Sequence, residues 1–86
     1  MAKFFRARRA REVRAFLEAH AFYFAANDGD DDIYARQGYG YTVKIPNRDN
    51  DEIPIGTMSQ IRKCVRMCGV SDKLMLEWWK ENGYGD

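Results

Sequence analysis

The sequence predicts an α+β domain in which three antiparallel strands lie under helices packed on one face. Three observations carry this expectation. Apolar residues recur at spacings of three and four in two well-separated segments, the signature of amphipathic helices. Between them, Tyr41-Thr42-Val43-Lys44-Ile45 alternates at period two, and Phe22 to Ala26 is rich in aromatic residues. The turn formers Asn27-Asp28-Gly29 and Gln37-Gly38-Tyr39-Gly40 punctuate that middle region where hairpins need them.

The elements follow in order. Ala10, Val13, Phe16 and Leu17 mark a first helix over about 8–20, with its arginines mainly on the opposite side. It ends near His20-Ala21 without a glycine to cap it. Phe22 to Ala26 is a first strand and Asp31 to Arg36 a second, joined by the turn at 27–29. The third strand, 41–45, turns Tyr41, Val43 and Ile45 to one face and Lys44 to the other. Pro46 ends it. Residues 47–52 form a polar loop. Thr57 is the expected N-cap of a helix running to Cys68, with Gly69 as its left-handed C-cap. Met58, Ile61, Val65 and Cys68 face the core. Ser71 caps a further C-terminal helix over about 72–82, which Gly83 stops.

Length and composition bound the rest. Eighty-six residues, 45% hydrophobic and 31% charged, make one domain (1–86) with one modest core. No apolar run approaches the roughly 20 residues needed to cross a bilayer. The basic N-terminus is followed by no apolar stretch, so no secretion signal is expected and the chain is expected to be soluble and cytoplasmic. Cys64 and Cys68 stand four apart on one helix face. They cannot build a disulfide framework and are expected to pack rather than bind metal. The single His20 falls at a helix end, where its charge would favour the dipole.

The net charge of +1 hides an asymmetry. Residues 1–25 carry +4, residues 27–32 carry −4 through Asp28, Asp30, Asp31 and Asp32, and residues 55–69 carry +3. Two basic helices therefore flank an acidic turn. Basic helices suit a phosphate backbone, although charged faces also simply solvate a small domain. The acidic cluster lacks the spaced ligands of a calcium loop, so a solvated turn is expected there and no metal site.

Five short motifs then occur in a telling order: Arg11-Glu12-Val13, Phe22-Tyr23, Gly29-Asp30-Asp31-Asp32-Ile33-Tyr34, Val43-Lys44-Ile45-Pro46-Asn47, and Ile53-Pro54-Ile55-Gly56-Thr57-Met58 with Gly69-Val70-Ser71. Over about residues 10–71 they resemble the HicA toxins, which have a fold similar to a double-stranded-RNA-binding domain, in the order α-β-β-β-α. The resemblance implies a type II toxin–antitoxin system, RNA (mRNA) as substrate, cleavage without metal or cofactor, and silencing by a HicB-like antitoxin. It also places Asp31 where that family carries its catalytic histidine.

The chemistry of that exchange is unfavourable to cleavage. A general base or acid for a ribose 2′-hydroxyl works best with a pKa near the working pH, and imidazole at ~6.5 meets that condition. Aspartate, at a reference pKa of ~3.9, is a weaker base and repels phosphate. Losing such a group costs roughly 10²–10⁴ in rate. The expectation is an RNA-binding toxin scaffold impaired at Asp31. Gly29, Arg36, Lys44 and Arg48 are the candidates for holding RNA near the turn.

The C-terminal helix is an addition to the family pattern. Trp78 and Trp79 point about 100° apart on it, which can leave one of them exposed; packing onto the small core is the expected use, with an oligomer or antitoxin contact as the sharper alternative. The competing functional class is a non-catalytic RNA- or protein-binding module of the same fold.

Overall fold

A computed structural model describes residues 7–82. The elements run β1 (Arg8–Arg9), α1 (Ala10–Ala19), β2 (Phe22–Asp28), β3 (Asp31–Arg36), β4 (Thr42–Pro46), β5 (Glu52–Ile53), α2 (Ile55–Met67) and α3 (Asp72–Glu81). Strands β2, β3 and β4 form a three-stranded antiparallel sheet in sequence order, and β1 pairs with β5 in a separate two-stranded ribbon. The described residues thus form a small α+β fold with three helices and a three-stranded antiparallel sheet. Gly83, the expected stop of the last helix, lies outside the described residues, as do Lys3 and Arg6.

Register decides which side chains share a face. Phe24 pairs with Tyr34 and Tyr34 with Val43, while Ile33 pairs with Ala26 and Lys44. Directly opposite residues project to the same side of a sheet. Phe22, Tyr34, Val43 and Ile45 are all buried on the inner side. They meet Ala10, Val13, Phe16 and Leu17 of α1, Met58, Ile61 and Val65 of α2, and Met75 and Trp79 of α3 in one core. Tyr23, Thr42 and Lys44 stay exposed on the outer side. A register shift between Phe24 and Ala26 marks a bulge in β2.

Several boundaries differ from the sequence expectation, each for a physical reason. The first helix begins at Ala10, because Arg8 and Arg9 pair with Ile53 and Glu52. The polar loop 47–52 therefore contributes a strand residue. Its carbonyls also cap α1: the Ala10 N–H donates to Asp51 O at 2.9 Å and the Arg11 N–H to Asp49 O at 3.1 Å. Glu12 adds a side-chain cap, accepting from the Arg9 N–H at 2.9 Å. Thr57 is not a cap, since α2 starts at Ile55 behind Pro54. The first hairpin turns one residue later than expected, at Gly29-Asp30, with Asp28 opposite Asp31. Gly29 has φ +62° and Asp30 does not share that sign, the pattern of a type II′ hairpin. Tyr41, expected inside, is 49% exposed because β4 starts only at Thr42.

Other expectations hold. The Gly69 N–H donates to Arg66 O (2.9 Å) and the Val70 N–H to Val65 O (3.2 Å), with Gly69 at φ +89°. That pair of bonds is the Schellman closure of α2. Ser71 Oγ caps α3 by accepting from the Leu74 N–H at 3.3 Å. The two tryptophans pack inward. Trp79 is buried and stacks on Phe16 at 5.4 Å between centroids, while half-buried Trp78 meets the edge of Phe16 at 5.5 Å.

Candidate functional site

Alternation along β3 sends the three consecutive aspartates to different places. Asp30 is in the turn. Asp32 shares the inner side with Ile45 and meets Arg14 of α1, whose Nη1 donates to Asp32 Oδ2 at 2.9 Å. Asp31 shares the outer side with Asp28 and Pro46. The turn residues Gly29 and Asp30 are exposed, whereas Asp31 and Asp32, at the start of β3, are both partly buried.

On the outer side, Lys44 projects from β4 and its Nζ lies 3.1 Å from Asp28 Oδ2. Both side chains are more than half exposed, so this pair contributes little to stability and holds the ammonium only loosely. Next to it a groove of about 350 Å³ opens between β4 and α2. Asp31, Lys44 and Pro46 line its sheet side, with Pro54 at one end and Gln60 and Ile61 on the α2 side. The tight hairpin fixes Asp31 in the groove's lining. Asn27 Nδ2 donates to Asp31 O (3.1 Å), and Asn47 ties the following loop back through Nδ2 to Gly29 O (3.2 Å) and its N–H to Asp30 O (2.9 Å). Arg48 follows Asn47 in that tethered loop. It is exposed and has no side-chain partner among the described residues.

Several exposed acids also lack a carboxylate partner among the described residues; what sets Asp31 apart is that it lacks one while partly buried. Asp28 is paired with Lys44, Asp32 and Asp49 with Arg14, and Asp72 with Arg62. Partly buried Asp31 has no hydrogen-bond or ion-pair partner for its carboxylate among the described residues. A shielded acceptor facing a groove can take donors from a ligand.

Arg36, expected near the turn, stands at the other end of β3. Its Nη1 donates to Cys68 O at 2.8 Å, closing the C-terminal end of α2. Its guanidinium lies 5.9 Å from the Phe22 ring centroid and 5.6 Å from that of Tyr39. It is a strap between sheet and helix, and the structure does not bring it together with Lys44.

Sequence reading missed Arg14. Beyond Asp32, this side chain donates to Tyr34 Oη (2.9 Å), Asp49 Oδ1 (3.1 Å) and Pro46 O (3.3 Å). Partial burial works against its charge, but the bonds to Tyr34, Asp32 and Asp49 outweigh that and hold the guanidinium well above its ordinary pKa. Helical spacing placed Arg14 on the polar side of α1, and only the sheet beneath converts it into an anchor. Other cations of the two basic segments are also engaged. Arg8 is buried with its guanidinium 4.3 Å from the Trp79 ring centroid, and Arg62 grips Asp72 through two bonds of 3.1 and 2.6 Å.

His20 and the cysteines play structural parts. His20 Nδ1 lies 2.9 Å from Phe16 O, and its ring lies tilted 4.4 Å from that of Phe16 and edge-on to Trp78 at 6.5 Å. Cys68 is buried, with its thiol donating to Tyr41 O at 3.4 Å, and burial pushes that thiol above its ordinary pKa. Half-buried Cys64 lines the groove. Among the described residues no group of three His, Cys, Asp or Glu gathers to hold a metal, and no helix is long and apolar enough to cross a membrane. Set against models of protein families, curated proteins and solved structures, the chain has no match.

Proposed function

We propose that this protein is an RNA-binding domain of the HicA toxin type, with a layout like that of double-stranded-RNA-binding domains and with cleavage impaired at Asp31. In this reading the Asp31–Lys44 groove is the RNA site, Arg48 adds phosphate contacts from the tethered loop, and Gly29 shapes the turn that presents Asp31. A HicB-like antitoxin is the expected partner and the cytoplasm the expected compartment. The observation that carries the reading is the position of Asp31, partly buried, with no carboxylate partner among the described residues, and lining a groove that the exposed Lys44 also lines. A residue type wrong for proton transfer occupies a place right for touching a ligand.

The test compares the chain with Asp31→His on mRNA in the presence of a chelator, with binding followed in parallel by fluorescence anisotropy. Both should bind RNA, and only the histidine variant should cleave it at an appreciable rate. Strong cleavage by the chain as it stands would overturn the impairment. Binding without cleavage by either would leave a non-catalytic RNA-binding module.

One observation favours a second reading, a protein-binding module. The guanidinium groups of Arg14, Arg36 and Arg62 are committed to internal bonds, so the positive surface is smaller than composition suggests. Absence of RNA binding at low salt would select that reading.

A further inference from the structure

We infer that the groove takes a single unstacked guanine nucleotide of an RNA strand, with Asp31 accepting hydrogen bonds from the Watson–Crick edge of the base. The inference rests on the RNA-binding reading above and deepens it.

Size comes first. At about 350 Å³ the groove is at the lower end of small-molecule sites, roughly 300–1,000 Å³, which suits one nucleotide and excludes a duplex. Its walls come next. Pro46, Pro54 and Ile61 give flat or apolar surface for a base face, against which an unpaired base can be sequestered from water. The polar groups then select among bases. The Asp31 carboxylate can only accept, and it has no donor from the described residues. Among the four RNA bases, guanine alone carries two adjacent donors, N1–H and the N2 amine, in the spacing that two carboxylate oxygens match. Adenine and cytosine each offer one amine beside an acceptor that would face the carboxylate, and uracil offers one N–H between two carbonyls. The amide of Gln60, on the opposite wall, can donate or accept and so adds contact without opposing this choice. Lys44 completes the set. Its side chain is 55% exposed and, among the described residues, its ammonium pairs with Asp28 alone, leaving donors for the phosphate of the same nucleotide.

In this arrangement Asp31 is a base-reading residue, and no proton transfer is asked of it. That resolves the mismatch of an acidic side chain in an RNA site: the carboxylate faces the base, and the ammonium faces the phosphate.

The test is an amide-resolved NMR titration of the labelled full chain with short uridine oligoribonucleotides carrying one central guanosine, inosine or adenosine. The guanosine strand should bind roughly tenfold more tightly than the adenosine strand, with shifts centred on Asp31, Lys44, Gln60 and Ile61. Inosine, which lacks the N2 amine, should fall between them. Asp31→Asn, whose native carboxylate makes no bond among the described residues that folding would miss, should abolish the preference, bringing the guanosine strand down to the affinity of the adenosine strand. Equal affinity for the three strands, or shifts confined to other surfaces, would overturn the inference and leave RNA binding standing. Absence of binding to every strand would overturn the RNA reading itself. A parallel titration with free 5′-GMP separates the sources: shifts in the groove with GMP and none with the guanosine strand would overturn the assignment to RNA.

Discussion

Asp31 and Asp32 are neighbours in the chain and stand on opposite sides of the sheet, one facing an open groove and the other bonded to Arg14 at 2.9 Å. Two substitutions of one chemistry should therefore act on different properties. Asp32→Asn weakens the charge-assisted bond that joins α1 to β3 and should cost about 2 kcal/mol. Asp31→Asn should leave stability within about 0.5 kcal/mol. Urea denaturation of both variants reads the contrast directly, and equal midpoints would contradict it.

Gly69 should not tolerate a side chain. Its φ of +89° is left-handed, and an added Cβ would meet the Tyr39 ring and hydroxyl, with Arg36 Nη1 close behind. The backbone term alone is about 1–2 kcal/mol, and displacing Tyr39 from its place beside Arg36 adds to it. Gly69→Ala should therefore lower the thermal midpoint by several degrees.

Ala21 offers the reverse experiment. It follows the C-cap His20 of α1 and is the one non-glycine with positive φ among the described residues, at +67°. Glycine accepts this conformation without the steric penalty of a Cβ, so Ala21→Gly should stabilise the fold by about 1 kcal/mol. A loss of stability would show that the surrounding packing depends on the Ala21 methyl group.

The last helix should prove essential. Trp79 is buried against Phe16 with Arg8 over its ring, and Met75 is fully buried beside the same core. Trp79→Ala should cost about 3–5 kcal/mol, most of what a small domain has. Trp78→Ala should cost less, because Trp78 is only half-buried. A chain lacking residues 72–86 that still unfolds cooperatively would refute this assignment.

Acid should loosen the α2–α3 junction. The hydrogen bond from Arg62 holds the Asp72 carboxyl below its ordinary pKa. The unfolded chain then takes up that proton first as pH falls. The stability Asp72 supplies is complete above the unfolded value near ~4 and drains away through the lower folded value. Asp72→Asn should flatten the acid limb of a stability–pH curve and leave the curve near neutrality parallel to that of the parent chain.

Much of the fold is written in local pattern. The spacing of Val13, Phe16 and Leu17, the alternation around Val43 and Ile45, the glycine closing α2 and the serine opening α3 each act within a few residues, and each can be read from sequence alone. Asp31–Arg36 as a strand and Lys44 on the outer side follow from the same period-two geometry. Tertiary structure decided what local pattern cannot encode. Whether a cation is a surface charge or a strap depends on which carbonyl or carboxylate a distant segment brings within hydrogen-bond distance, as Asp49 and Asp32 do for Arg14 and the Cys68 carbonyl does for Arg36. The cap of α1 came from a loop some forty residues away, so no residue beside the helix announced it. The groove itself belongs to no single segment: it exists because α2 lies beside β4, with Asp31 in its lining, partly buried and without a carboxylate partner among the described residues.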